Sequence, residues 1–429
     1  MKKILFLTRH FPPLVSAGSL RAWKLASHLP EFGWEPLVVA PPDICGFEEG
    51  VPAPLSADFS GMEIHRTGKE IDAGSLDAAG KAQLARGKPV DALRSVKNRV
   101  SGMFSGDPEG AEWEKNAARL VERLLKEHPE VEMLYAQGPP VNPLLLALDT
   151  ARQHHLTLIL DVIDPVDPSL PEPGMGSQAT IARIEERILM SGVTVLTPTR
   201  ALKEYFLKKY PGRLAHDDIT IVHNGYDGEL SGRPLPPVRP RSPLMRWALL
   251  VERVNKADLH TLVRGIELFA AAEGCVQGSA EFVFFGEAAG AVARHVKKSP
   301  LLPMIAIRDC CTLAQELELC RNADVICTVL GRNGVNAAYI PERVVDALGM
   351  NKPLLAAVPD GATRQLVQEA GGITASITQA EEIAGQCGIM AGLWKTDRLP
   401  EVPQPVLKRY EIRQSLHELT REIARLLPL

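Results

Sequence analysis

The sequence predicts an α/β protein built from two doubly wound, parallel-sheet domains in tandem. Three observations carry that expectation. Short continuous apolar runs alternate with helix-period segments from the first residues onward, the alternation breaks at a proline-rich stretch over 228–243, and it then restarts. Apolar runs without alternation mark strands covered on both faces, as parallel sheets require. At 429 residues, with 45% hydrophobic and 23% charged positions, the chain is long enough for two or three packed cores.

The first run spans 4–7 and ends in a loop over 10–19 with Pro12, Pro13 and Gly18. A helix follows over 20–29, with Leu20, Trp23, Leu25, Ala26 and Leu29 at helical spacing and Gly33 as its stop. Residues 36–40 (PLVVA) give the second strand and complete a βαβ unit. Further units repeat it: helices over 112–127, 143–154, 183–190 and 201–210, and strands over 131–136, 156–160 and 193–196. The first domain is therefore expected over 1–230. Residues 231–243, within the segment GELSGRPLPPVRPRSP, have the composition of a stiff polar linker. The second domain is expected over 244–405, with strands at 247–251, 281–285, 304–307, 324–329 and 353–357 and helices at 259–272, 291–298, 314–321 and 341–348. A last amphipathic helix, 406–427, has no strand after it; its apolar stripe of Tyr410, Leu416, Leu419, Ile423 and Leu426 must be buried elsewhere.

Composition excludes several functions. A net charge of -4 supplies no field for gripping nucleic acid. Seven cysteines, none in a C-x-x-C pair, outline neither a disulfide framework nor a zinc site, so no metal is expected. The opening MKKILFLTRHFPP has too short an apolar run for a signal-peptide core, and nowhere do eighteen apolar residues run together. A cytoplasmic protein is expected, with any membrane contact peripheral, on the inner face of the cytoplasmic membrane. No G-x-G-x-x-G lies between a strand and a helix, and G-x-x-x-x-G-K-[ST], H-E-x-x-H and G-x-S-x-G are absent.

Several segments carry a resemblance. FPPLVSAGSLRAWKLASHLPEFGWEPLVVAPP is similar to the opening of family 4 glycosyltransferases of the GT-B fold. DPEGAEW, AQGPPVNP, LDVIDPVDP, VHNGYD, ADVICTVL and IPERVVDALGMNKPLLA follow in that family's order over nearly the whole chain. The resemblance implies two Rossmann-like domains facing across a cleft, with the C-terminal helix returning to the first. It further implies a nucleotide-sugar-dependent, retaining hexosyltransferase of polysaccharide biosynthesis, with a lipid-linked or glycan acceptor. The nucleotide sugar, UDP- or GDP-linked, would be a co-substrate, and no separate cofactor is implied.

Beside the resemblance, the residues have their own chemistry. The small residues Ser16, Ala17, Gly18 and Ser19 precede a helix whose free amides suit a diphosphate, although an ordinary capped turn reads the same way. Asp346 stands where the family has a glutamate that accepts hydrogen bonds from ribose hydroxyls, and Arg343 where a cation faces the diphosphate. The alternative for these two is a surface i,i+3 pair. Pro341 sets the start of their helix. Arg253 and Lys256, after the first strand of the second domain, match the family's diphosphate cations, with Arg253 the stronger candidate; Gly286 belongs to the same donor set. Asp161 and Asp164 fall where the family faces the sugar, and a carboxylate there stabilises a cation-like carbon. Asp164, ahead of Pro165, equally begins a turn. His10 and His223 are further candidates, with satisfied structural histidines as the alternative.

The chain also departs from the family. Ala338 occupies the first position of the E-x7-E pattern, so donor-sugar contacts are expected from residues 331–339. Glu252 replaces a glycine beside the phosphate site, and Asn351 replaces another, which a left-handed backbone would tolerate. These departures also fit a catalytically idle homologue that binds a nucleotide sugar or a partner transferase, and a nucleotide-sugar epimerase shares the two-domain fold. Finally, residues 81–104 hold six basic residues and one acid, with Leu93, Val96, Val100, Met103 and Phe104 at helical spacing. Such a face suits an anionic membrane surface, at about 1 kcal/mol per cation, or packs as an ordinary surface helix.

Overall fold

The computed structural model describes residues 1–12, 17–42, 44–45, 62–68, 71–72, 108–166, 178–228, 244–275, 278–308 and 313–427. The expected linker at 231–243, the basic segment 81–104 and Ser16 lie outside the described residues. The chain forms two compact units, Met1–His223 with Ser415–Leu429, and Asn224–Gln414.

Unit 1 contains β1 (Lys2–Leu7), α1 (Ala17–His28), β2 (Trp34–Ala40), β3 (Ile44–Cys45), β4 (Glu63–Arg66), β5 (Ile71–Asp72) and α2 (Pro108–Glu127). It continues with β6 (Met133–Gly138), α3 (Asn142–His154), β7 (Thr157–Val162), α4 (Gln178–Leu189), β8 (Thr194–Thr197), α5 (Arg200–Lys209) and β9 (Ile219–Ile221). Seven of the strands form one sheet in the order β4-β2-β1-β6-β7-β8-β9, and β3 pairs separately with β5. Every pair in the large sheet is parallel. Burial on both faces explains the uninterrupted apolar run of β1: Ile4, Leu5, Phe6 and Leu7 are wholly inaccessible, and Phe6 stacks on Tyr135 at 4.2 Å. Strand order reverses between β1 and β6, the topological switch point, where doubly wound sheets open a crevice at their carboxyl ends.

Unit 2 repeats the plan with β10 (Met245–Glu252), α6 (Lys256–Ala272), β11 (Ala280–Phe285), α7 (Ala289–Val296), β12 (Ile305–Arg308), α8 (Leu313–Asn322) and β13 (Val325–Leu330). Next come α9 (Glu342–Gly349), β14 (Leu354–Ala357), α10 (Ala362–Glu369), β15 (Ile373–Ala375), α11 (Ala380–Lys395) and α12 (Gln404–Arg409). The sheet runs β12-β11-β10-β13-β14-β15, parallel throughout, and reverses at β10/β13. Trp247, Phe269 and Phe282 form an aromatic cluster on one of its faces, in a core that continues through Leu262, Ile266 and Ile383. There α6 and α11 approach closely: a Cβ on Gly265 would lie 2.8 Å from Ile383.

Beside the short strands β3, β4, β5 and β9 of unit 1, which the sequence expectation lacks, two parts of the C-terminal half differ from it. The units at α10, β15 and α11 were not anticipated, because α11 (AEEIAGQCGIMAGLWK) carries three glycines and apolar residues all round, without a clean stripe. The single terminal helix is instead α12 followed by α13 (Ile412–Leu426). Between them the backbone turns aside to pair with Tyr226, whose N–H donates to the Tyr410 carbonyl (2.8 Å) and whose carbonyl accepts from Ile412 N–H (2.9 Å). Tyr226 itself packs where a Cβ on Gly349 would lie, which ties residues 224–228 and α12 to unit 2. From Ser415 onward α13 belongs to unit 1, with Leu416, Leu419 and Ile423 buried, His417 edge-on to Phe32 at 4.9 Å and Arg425 reaching Thr194.

Candidate functional site

In unit 2 the carboxyl ends of the central strands carry the donor-side candidates. Arg253 follows β10 in a left-handed conformation (φ 51), and its N–H donates to Glu287 Oε1 at 2.8 Å. Glu287 comes straight after Gly286, whose φ of 98 and whose tight fit against Val251 O admit only glycine. Asn255 caps α6, its Oδ1 accepting from Ala257 N and Asp258 N, and Lys256 begins that helix at an exposed position.

The Arg253 guanidinium lies 3.5 Å from the centre of the Tyr339 ring, a cation–π stack. Tyr339 Oη donates to Glu252 Oε2 at 2.9 Å. Burial, with the charge of Glu287 adding to it, pushes the Glu252 carboxyl up to about 7, against the pull of Arg253 and Tyr339. Glu252 therefore does not point away from the cation but joins its neighbourhood. Half protonated near neutrality, it repels an anion less than a full charge would. Stacking covers one face of Arg253 and leaves the N–H edges of such a group, the part that forks onto a carboxylate or phosphate, outside the ring contact. Neither Tyr339 nor its partnership with residue 253, 86 positions away, had a sequence signal.

Arg343 and Asp346 lie together on α9, as their spacing suggests, but not on the surface. Arg343 Nη1 donates to Asp346 Oδ2 (2.5 Å) and Nε to Glu316 Oε2 (2.6 Å), and both members of the i,i+3 pair are buried. Two carboxylates thus neutralise Arg343 inside unit 2, which corrects the expectation of a cation facing a diphosphate. Pro341 is the residue before α9, in extended conformation, and sets its start. Asn351 is left-handed (φ 53), the conformation its replacement of glycine requires.

In unit 1, Asp161 at the end of β7 is inaccessible to solvent. It takes a two-pronged pair from Arg21 (2.7 and 2.9 Å) and a hydrogen bond from Tyr135 Oη. Its carboxylate holds α1 and β6 to β7, which corrects the expectation that it faces a sugar; Asp164, three residues on, is half-buried in the loop after the strand. Ala17 opens α1, and Gly18 lets that helix start press on His10, whose Nδ1 would lie 2.8 Å from any added Cβ. Burial and the neighbouring Arg9 lower the His10 pKa to about 4, so its imidazole is neutral at physiological pH. His223 is engaged through Nδ1 with the Pro198 carbonyl at 3.0 Å. Among the described residues, no group of three or more His, Cys, Asp or Glu is placed to hold a metal ion, and no helix is long and apolar enough to cross a membrane.

Comparison with solved structures decides the fold. HepE of Anabaena, solved with UDP and glucose, superposes with a TM-score of 0.62 over 99% of this chain and 100% of its own, at 14% identity. The fold is that of the GT-B glycosyltransferases. A sucrose-phosphate synthase from Thermosynechococcus elongatus matches at TM-score 0.65 and 12% identity over 99% of both chains. A Listeria monocytogenes protein assigned as a UDP-N-acetylglucosamine 2-epimerase matches at 0.54 and 12% identity, over 98% of this chain and 95% of its own. No family model and no curated protein matches the sequence.

Proposed function

We propose that this protein is a retaining, family 4-type hexosyltransferase that moves a sugar from a UDP- or GDP-linked donor to a lipid-linked or polysaccharide acceptor. The observation that supports it most directly is Arg253, stacked on Tyr339 beside the switch point of the unit 2 sheet. In doubly wound folds ligands bind outside those strand ends. Arg253 and Lys256 take the diphosphate, and Gly286 lets the backbone approach it. Asp346 accepts from the ribose through whatever capacity Arg343 leaves it, and residues 331–339 meet the sugar. As the bond to the sugar breaks, charge grows on the leaving phosphate, and a fixed guanidinium stabilises it without reorganising. On this reading unit 1 takes the acceptor, with Asp164, three residues after the buried Asp161 pair, as its candidate catalytic carboxylate and Ala17 and Gly18 as the anion-binding start of α1. Placement in the cytoplasm, at an anionic membrane face engaged through 81–104, completes the proposal.

A catalytically idle homologue is favoured by two observations: Ala338 stands where the family's first glutamate would be, and Arg343 is neutralised by Glu316 and Asp346. Incubation with UDP-, GDP- and ADP-sugars separates these outcomes. Slow hydrolysis or transfer with retained configuration supports the transferase; binding without turnover identifies the idle homologue; an isomerised sugar identifies an epimerase. No binding of any donor overturns all three.

A further inference from the structure

The strand order of unit 2 reverses between β10 and β13, and one arginine leaves each of those two strands. Glu252 and Leu330, the last residues of the pair, lie side by side in register. Arg253 follows the first, and Gly331 then Arg332 follow the second. The two loops are pressed together: a Cβ on Gly331 would meet Arg253 O at 2.5 Å and Asp258 Oδ2 at 2.8 Å. The Asn336 amide fastens them, donating to Gly331 O at 2.8 Å and Arg253 O at 3.4 Å.

Among the described residues, one carboxylate holds Arg332. Asp258, fully buried in the first turn of α6, accepts from Arg332 N–H (3.1 Å) and from Arg332 Nε (2.7 Å). That grip fixes backbone and side chain at once, yet the Arg332 side chain remains 48% exposed. Nε is spent on Asp258, and among the described residues the two Nη groups, four N–H donors in a planar fork, have no other partner. A fork anchored at one end and accessible at the other suits a phosphate.

We infer that Arg332 is a second diphosphate-binding residue, positioned by Asp258 and acting beside Arg253 at the switch point of unit 2. The inference rests on the nucleotide-sugar proposal above and adds to it the residue that replaces the neutralised Arg343. Two guanidinium groups from adjacent loops would bracket a diphosphate from two sides, and a nucleoside, lacking phosphate, would feel neither.

Calorimetric titration of UDP, GDP and ADP, each beside its parent nucleoside, tests this on the full chain. Arg332→Gln should weaken the bound diphosphate at least tenfold and leave the nucleoside within twofold. Arg332→Lys should fall between. Because Arg332→Gln strands a buried carboxylate, the double variant Arg332→Gln with Asp258→Asn serves as control. It removes both charges and should show the same selective loss with an unchanged circular dichroism spectrum. Equal diphosphate affinity in wild type and the double variant overturns the inference and leaves the nucleotide-sugar proposal standing. Equal losses for diphosphate and nucleoside also overturn it, since they mark a structural role. Failure of wild type to bind any of the diphosphates overturns the proposal and the inference together.

Discussion

Single residues in this protein are decided by competition between burial and pairing. Asp161 with Arg21, and Arg343 with Glu316 and Asp346, show buried charge kept only where it is paired. Glu252 is the contrasting case, since burial outweighs Arg253 and lifts its pKa from the ordinary 4.5 to about 7. A carboxyl that binds its proton more tightly when folded stabilises the native state below the ordinary value. That contribution is lost as pH rises through 4.5 to about 7. Glu252→Gln keeps an acceptor for Tyr339 and removes the titration. Its denaturant midpoint should therefore be flatter than that of wild type between pH 5 and 8, and higher than that of wild type at pH 8. Parallel curves for the two proteins would show that Glu252 ionises normally.

At the scale of elements, packing overrules local propensity. Gly265 sits inside α6, where alanine would raise helix propensity by about 1 kcal/mol. The same Cβ would fall 2.8 Å from two carbons of Ile383 and 3.0 Å from the Ala380 carbonyl, and a backbone oxygen does not yield as a side-chain tip would. Overpacking of this kind costs about 1–3 kcal/mol, so Gly265→Ala should lower stability on balance. Urea melts at constant m-value check the sign. A rise in stability would mean that α6 and α11 separate easily. The helix expected over 341–348 is found at Glu342–Gly349, with Pro341 directly ahead of it as the start signal. α11 was not expected from the sequence, because its helix period is hidden where neighbours cover every side.

For the whole molecule, the decisive segment is the last one. Leu416, Leu419 and Ile423 are completely buried in unit 1, although almost two hundred residues separate them in sequence from the rest of that unit. Burying each is worth about 1.5–3 kcal/mol, a large share of the roughly 5–15 kcal/mol by which domains are stable. A chain ending at residue 414 should lose the cooperative unfolding of unit 1, read by hydrogen exchange in β1 and β6, while β10 and β13 stay protected. Full protection of β1 in the truncated chain would show that the helix is dispensable.

The alternation of strands and helices through most of the chain, the two parallel-sheet domains and the resemblance that points to a GT-B fold were legible in the sequence alone, whereas the short strands β3, β4, β5, β9 and β15, the helices α10 and α11, and the break between α12 and α13 were not. The legible features depend on local patterning: apolar runs buried on both faces, helix-period stripes, and the proline-rich break between them. The chemistry of the strand ends was decided by tertiary structure. Arg343 looked like a ligand cation because sequence shows its helix position but not Glu316, 27 residues earlier, waiting beside it. Asp161 was read as facing a sugar because nothing near it announces Arg21, and Arg332 passed unnoticed because its meaning depends on Asp258, 74 residues away. A charged side chain's role is set by the charges and solvent around it, and those are fixed only when distant loops meet at the sheet edge.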